Sequence, residues 1–226
     1  MKSKMFFDIY KGLTLFKVFP YLFLVFFQLN VVVYAESPNI TLDKLAQKRT
    51  TILETAQQFN INPLYLAAVI YTERTLNYDL TDEWFDIPLA KANKNSSIGF
   101  CQVKLKTAYF IERQFHNQES LYYPSEQYQN LLQVSSSPQE LINKLANDDT
   151  NIQYAAAYLK LMEVRWHNAG FSIKERPDIL GTLYSAGLFH NDGTERLPNS
   201  NPQPNEFGSI VIGSILLILP IFKTND

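Results

Sequence analysis

From Asn62 to Glu73 the chain reads Asn-Pro-Leu-Tyr-Leu-Ala-Ala-Val-Ile-Tyr-Thr-Glu. Asn62 can cap a helix and Pro63 suits its first position, where no backbone N–H is needed. Leu66, Ala67, Ile70 and Tyr71 then recur at helical spacing, so the run predicts a helix that is largely buried. Such a helix has to be wrapped by other elements. Strand signals are weak throughout and no internal repeat is present, so those elements are expected to be helices and the fold mainly α. Glu73 lies one turn beyond the apolar face, near the expected C-terminal end. Two effects favour its protonated form there: apolar surroundings disfavour the charge, and a helix C-terminus presents carbonyls rather than amides.

The remaining elements follow from the same signals. Residues 41–59 predict one helix, with Leu42, Leu45, Ile52, Leu53, Ala56 and Phe59 on one side, after a short linker at 37–40. A helix is expected over 104–115. Ser137-Pro138-Gln139-Glu140 is a start signal for another that ends near Ala146. Asp148-Asp149-Thr150 opens a helix over 151–167, whose buried stripe is Ile152, Ala155, Ala156, Leu159, Met162 and Trp166. A short helix over 177–184 leads to Tyr184 and Ser185. Residues 190–204 read as a loop. Residues 207–222 are apolar and read as a terminal helix, more in keeping with burial than with a membrane span at that length.

A carboxylic acid still protonated near neutral pH is what acid-catalysed cleavage of a glycosidic bond requires. Two later segments accompany Glu73. Ser96-Ser97-Ile98-Gly99-Phe100-Cys101-Gln102-Val103 offers Gly99, which either lets a sugar approach the backbone or takes a positive φ. It also offers Gln102, whose amide either faces a cleft or ties the segment to a neighbour. Leu183-Tyr184-Ser185-Ala186-Gly187 offers a phenol. Together, Glu73, Gly99-Phe100-Cys101-Gln102 and Leu183 to Gly187 resemble the ordered motifs of the lytic transglycosylase branch of the lysozyme superfamily. The resemblance covers roughly residues 42–208.

The resemblance implies a lysozyme-like single domain with a substrate cleft, and cleavage of the bond between N-acetylmuramic acid and N-acetylglucosamine in peptidoglycan. Glu73 would be the catalytic residue, acting first as acid and then as base while a 1,6-anhydro ring closes. Gly99, Gln102, Tyr184 and Ser97 would contact substrate or support Glu73. The start of the 151–167 helix resembles a family feature that packs behind the catalytic helix. The chain departs from the pattern at Arg74, Cys101 and Ser185, where the family carries Ser, Met and Asn. Arg74 matters most: a guanidinium facing Glu73 would ionise it, and one facing away would spare it.

Two other readings stay open. A hydrolytic muramidase would need a second carboxylate, with Asp79, Asp82 and Asp86 as candidates. A non-catalytic envelope protein would bind glycan without cutting it.

Residues 1–35 predict a signal peptide or membrane anchor. Lys2, Lys4, Lys11 and Lys17 precede a nearly uninterrupted apolar run over 18–33, and Val33-Tyr34-Ala35 suits a cleavage site before Glu36. The body, residues 36–226, is thus expected outside the cytoplasm, in the periplasm or cell envelope. Those four lysines and Asp8 set aside, it keeps 16 basic and 21 acidic residues, about −5. That balance gives no basic face for nucleic acid. The abundant tyrosines fit either sugar stacking or an aromatic core. Cys101, the single cysteine, excludes an intramolecular disulfide and reads as a core filler. His116, His167 and His190 lack metal-ligand spacing, so no metal or other cofactor is expected.

Overall fold

A computed structural model of the chain describes residues 35–77 and 96–223. The chain divides after Val33 into two compact units, and the second, Tyr34–Asp226, holds all the described residues and its own continuous core. The expected leader therefore falls almost wholly outside the described residues, as do Asp79, Asp82 and Asp86.

The described part is mainly helical. In chain order the helices are α1 (Pro38–Gln47), α2 (Arg49–Phe59), α3 (Pro63–Leu76), α4 (Leu105–His116), α5 (Pro138–Ala146), α6 (Asp148–Asn168), α7 (Pro177–Ala186) and α8 (Glu206–Phe222). A short 3₁₀ helix (Glu126–Leu131) lies between α4 and α5. The strands β1 (Ser97–Ile98) and β2 (Val103–Lys104) pair antiparallel, Ser97 opposite Lys104 and Ile98 opposite Val103.

Local chemistry accounts for most of the boundaries. The Leu64 N–H donates to Asn62 Oδ1 at 2.9 Å and Pro63 follows the cap, so α3 starts where the sequence places it. α5 likewise starts behind Ser137, whose Oγ accepts from Glu140 N at 3.2 Å. Asn147 caps α6, one residue ahead of the acidic pair that complements the helix dipole.

The expected single helix over 41–59 is two helices. The chain bends at Lys48, at φ −93° and ψ 7°, without a glycine or proline. The bend lets α1 lie against α3 while α2 lies against α6, two partners that one straight rod does not serve. Lys48 holds the corner by reaching Asp149 at 2.9 Å and Asp148 at 3.5 Å. Residues 37–40 are not a linker either: Ser37 caps α1 and Pro38 is its first residue.

α6 is the central helix. Ile152, Tyr154, Ala155, Ala156, Ala157, Leu161 and Met162 are all fully buried, so it is enclosed on nearly every side. It touches α2, α3, α4, α5, α7 and β2. α3 is buried continuously from Leu66 to Arg74 and packs against α8, α1, α2, α6 and α7. The C-terminal helix α8 lies along α7 and α3.

Candidate functional site

A cavity of about 470 Å³ opens beside the last turn of α3. Glu73 and Asn77 line it from α3, and Ser96, Ser97, Gln102, Val103 and Lys104 from the hairpin. Thr107 of α4, Tyr158 of α6, and Tyr184 and Ser185 of α7 complete the wall. Four stretches remote in sequence, 73–77, 96–107, Tyr158 and 184–185, thus meet around one carboxyl group.

Glu73 is 9% exposed. Burial pushes its pKa from the ordinary 4.5 up to about 7. The Asn77 amide, which donates to Oε2 at 3.0 Å, and the Lys104 charge pull it back by less. The acid is therefore poised to give a proton near neutral pH and to take one back. Asn77 was missed in the sequence, although i+4 spacing from Glu73 on a helix is a signal that puts it on the same face.

Arg74 faces away from the cavity. Its Nε and Nη2 donate to the two carboxylate oxygens of Glu36 at 2.7 and 2.8 Å, and Nη1 donates to the Phe100 carbonyl at 3.0 Å. Its guanidinium lies 4.6 Å from the centre of the Phe100 ring. Lys44 Nζ and Thr41 Oγ1 complete the Glu36 carboxylate at 2.6 and 2.9 Å. Burial alone would raise Glu36, but these donors outweigh it and hold the group at about 2. Arg74 therefore spends its charge on the start of the body and does not ionise Glu73.

The turn from Gly99 to Gln102 is shaped by backbone strain and by Asn151. Gly99 has φ 77° and Gln102 φ 52°. A Cβ on Gly99 would stand 2.3 Å from the Leu145 carbonyl oxygen and 2.6 Å from Asn151 Nδ2. Of the two roles the sequence allows Gly99, the positive φ and tight packing is the one seen, and Gly99 does not line the cavity; its expected contact with substrate is corrected on that ground. Asn151, fully buried at the start of α6, donates to the Ile98 and Leu145 carbonyls at 2.8 Å each and accepts from Cys101 N at 2.7 Å. The front of α6 thereby pins the turn behind α3. Cys101 is fully buried, which raises its thiol pKa well above the ordinary range.

Gln102 does line the cavity, and its Nε2 also donates to the Gly99 carbonyl at 3.1 Å, which closes the turn on itself. Ser97 lines the cavity from β1 without bonding to Glu73, whose partner is Asn77. The Tyr184 hydroxyl donates to the Cys101 carbonyl at 2.7 Å, so the phenol braces the turn rather than orienting the Glu73 carboxyl. Its ring sits 5.8 Å from that of Tyr158, and the two make the aromatic wall of the cavity. Burial first, and then nearby Cys101 and Glu73, raise the Tyr184 pKa well above its usual value. Ser185 Oγ donates to the Thr182 carbonyl at 3.2 Å and accepts from Asn205 Nδ2 at 3.0 Å, which links the cavity rim to the cap of α8.

Among the described residues no group of three or more His, Cys, Asp or Glu side chains is placed to hold a metal ion. No family model, curated protein or solved structure matches the chain.

Proposed function

We propose that the protein is a peptidoglycan lytic transglycosylase of lysozyme-like fold, with Glu73 as its only proton-transfer group. The observation that carries this reading is the Glu73 carboxyl itself: buried, raised to about 7, and lining an open cavity with an aromatic wall. Supporting it, the acid lies in the last turn of α3, the hairpin lines the cavity beside it, and α6 packs against α3.

In this mechanism protonated Glu73 gives its proton to the glycosidic oxygen as the C1–O bond breaks. The substrate's own acetamido oxygen supports the developing charge at C1. The resulting Glu73 carboxylate then accepts the proton of the C6 hydroxyl as that oxygen bonds to C1, closing the anhydro ring and restoring the acid. No water is consumed. Tyr158 and Tyr184 supply faces for sugar rings, and Ser97, Gln102 and Asn77 supply polar contacts around the acid. Glu73 is the one carboxyl lining the cavity among the described residues; the candidates for a hydrolase's second carboxylate, Asp79, Asp82 and Asp86, lie outside them. Arg74 is turned toward Glu36, which answers one of the two departures, Arg74 and Ser185, that keep a silenced, glycan-binding reading open.

The test is mass spectrometry of purified peptidoglycan digested with the body and with its Glu73→Gln variant. Products about 18 mass units lighter than hydrolytic ones, one water less, are expected from the wild type alone. Hydrated products would establish a muramidase instead, and products from both proteins would remove Glu73 from the chemistry.

A further inference from the structure

A second cavity, of about 260 Å³, opens further along α6 and shares no lining residue with the one at Glu73. Lys160 and Glu163 line it from α6, three residues apart and so neighbours on one face of the helix. Both are buried, at 9% and 7% exposed. Lys160 Nζ stands 3.7 Å from Glu163 Oε2, an ion pair too long for a hydrogen bond, and 5.1 Å from the centre of the Tyr128 ring. Neither side chain makes a hydrogen bond to another described residue. Charged groups buried this deeply are ordinarily saturated by hydrogen bonds. Burial pushes the Glu163 pKa up to about 7, while the charges of Lys160 and Lys174 pull it back by less. Exposed Lys174 adds a second ammonium to the wall, and Tyr123, Pro124 and Val164 add apolar surface.

We propose that this cavity binds a free amino acid by its dipolar head, the ligand's ammonium donating to Glu163 and its carboxylate accepting from Lys160 and Lys174. The spacing suits that head group. In an amino acid the nitrogen and the carboxylate oxygens lie about 3 Å apart, close to the 3.7 Å between Lys160 Nζ and Glu163 Oε2. The head can lie antiparallel along the pair, so that each charge meets its opposite. A bare anion would confront the Glu163 carboxylate and a bare cation the Lys160 ammonium; a ligand carrying both signs satisfies the two together. Charge-assisted hydrogen bonds also favour it over a neutral sugar. The apolar wall receives the ligand's side chain.

The site and its test are independent of the chemistry at Glu73. The full chain is titrated by calorimetry with glycine, L-alanine, D-alanine and L-lysine. Saturable binding of at least one is expected, and it should be unchanged in Glu73→Gln. N-acetylalanine lacks the ammonium and alaninamide the carboxylate; each is expected to bind about tenfold more weakly or worse than alanine. Glu163→Gln should lose as much for the amino acid. The double variant Lys160→Met with Glu163→Gln leaves no unpaired charge behind, and it should melt close to the wild type and not bind. Carbon-13 NMR of the Glu163 carboxyl is the second readout. An ammonium beside it lowers its pKa from about 7, and a bare anion raises it. No binding by any of the four amino acids overturns the proposal, as does binding that survives in the double variant. Inorganic phosphate or N-acetylalanine binding as tightly as alanine, with the Glu163 pKa raised, overturns it in favour of an anion site. N-acetylglucosamine competing equally overturns it in favour of a sugar site.

Discussion

Glu73→Gln is the substitution whose effect on stability can be worked out in advance. An unfolded glutamate has a pKa near the ordinary 4.5, and the folded group sits at about 7. Below about pH 4 both states are protonated and the residue costs nothing. As pH rises from 4.5 to 7 the unfolded chain releases the proton and the folded one does not, so folding is penalised. At about 1.4 kcal/mol per pH unit, the full penalty at pH 8 is about 3 kcal/mol. Glutamine has the same shape, and its carbonyl oxygen can still accept from Asn77, so the variant escapes the penalty without leaving a cavity. Glu163 is also raised to about 7 by burial, and its own penalty falls in the same window. The diagnostic quantity is therefore the difference between variant and wild type at each pH. Urea unfolding across pH 4 to 8 should show Glu73→Gln gaining about 3 kcal/mol on the wild type, with the gain concentrated between pH 4.5 and 7. A difference that stays flat with pH would mean that the carboxyl ionises freely in the fold, and it would refute both the burial argument and the general-acid role built on it.

Glycan cleavage by the wild type should decline as pH rises through about 7, because the ionised acid has no proton to give; a rate that climbs steadily to pH 9 would contradict the assignment. Arg74→Met should cost about 3 kcal/mol, since Glu36 loses its main partner inside the fold; a melting temperature equal to wild type would show the pair to be dispensable. The folded Glu36 pKa of about 2 lies below 4.5, so its stabilisation is present above pH 4.5 and disappears as pH falls through 2; acid titration of Glu36→Gln should lack that loss. Gly99→Ala should cost about 2 kcal/mol or more in thermal unfolding, from the positive φ and the clash with the Leu145 carbonyl; an unchanged stability would mean the turn can move aside. Tyr184→Phe removes only the bond to the Cys101 carbonyl, so about 1 kcal/mol of stability should go while turnover persists; loss of turnover at full stability would return the phenol to the chemistry.

The helices and the central acid are legible in the chain because their causes are local. A cap, a proline and a 3.6-residue repeat act within a few residues, and they place α5 and α8 to within a residue and α3 and α6 to within three. The same Ser-Pro pair that marks α5 also stands at Ser37-Pro38, so the start of α1 is legible in the chain by the same signal, against the expectation of a linker. The break at Lys48 was not available. No breaker residue stands there, and the bend exists because α1 and α2 serve different partners. The two-residue strands are likewise too short to leave a pattern, and they exist because Asn151 holds the turn between them.

By itself the sequence determined that the protein is mainly helical and that an acid stands near the end of a buried helix. It also placed a glycine turn and an aromatic segment further along. What that acid and its neighbours do was decided only in three dimensions. Arg74 and Glu73 are adjacent in the chain, yet one faces Glu36 and the other a cavity, and their charges are separated by the direction of two side chains. Gly99 and Tyr184 turn out to shape and brace the turn, because their partners Leu145, Asn151 and Cys101 lie far from them in sequence. Side-chain direction and the company it meets depend on packing between distant segments, and periodicity along one helix carries no record of that.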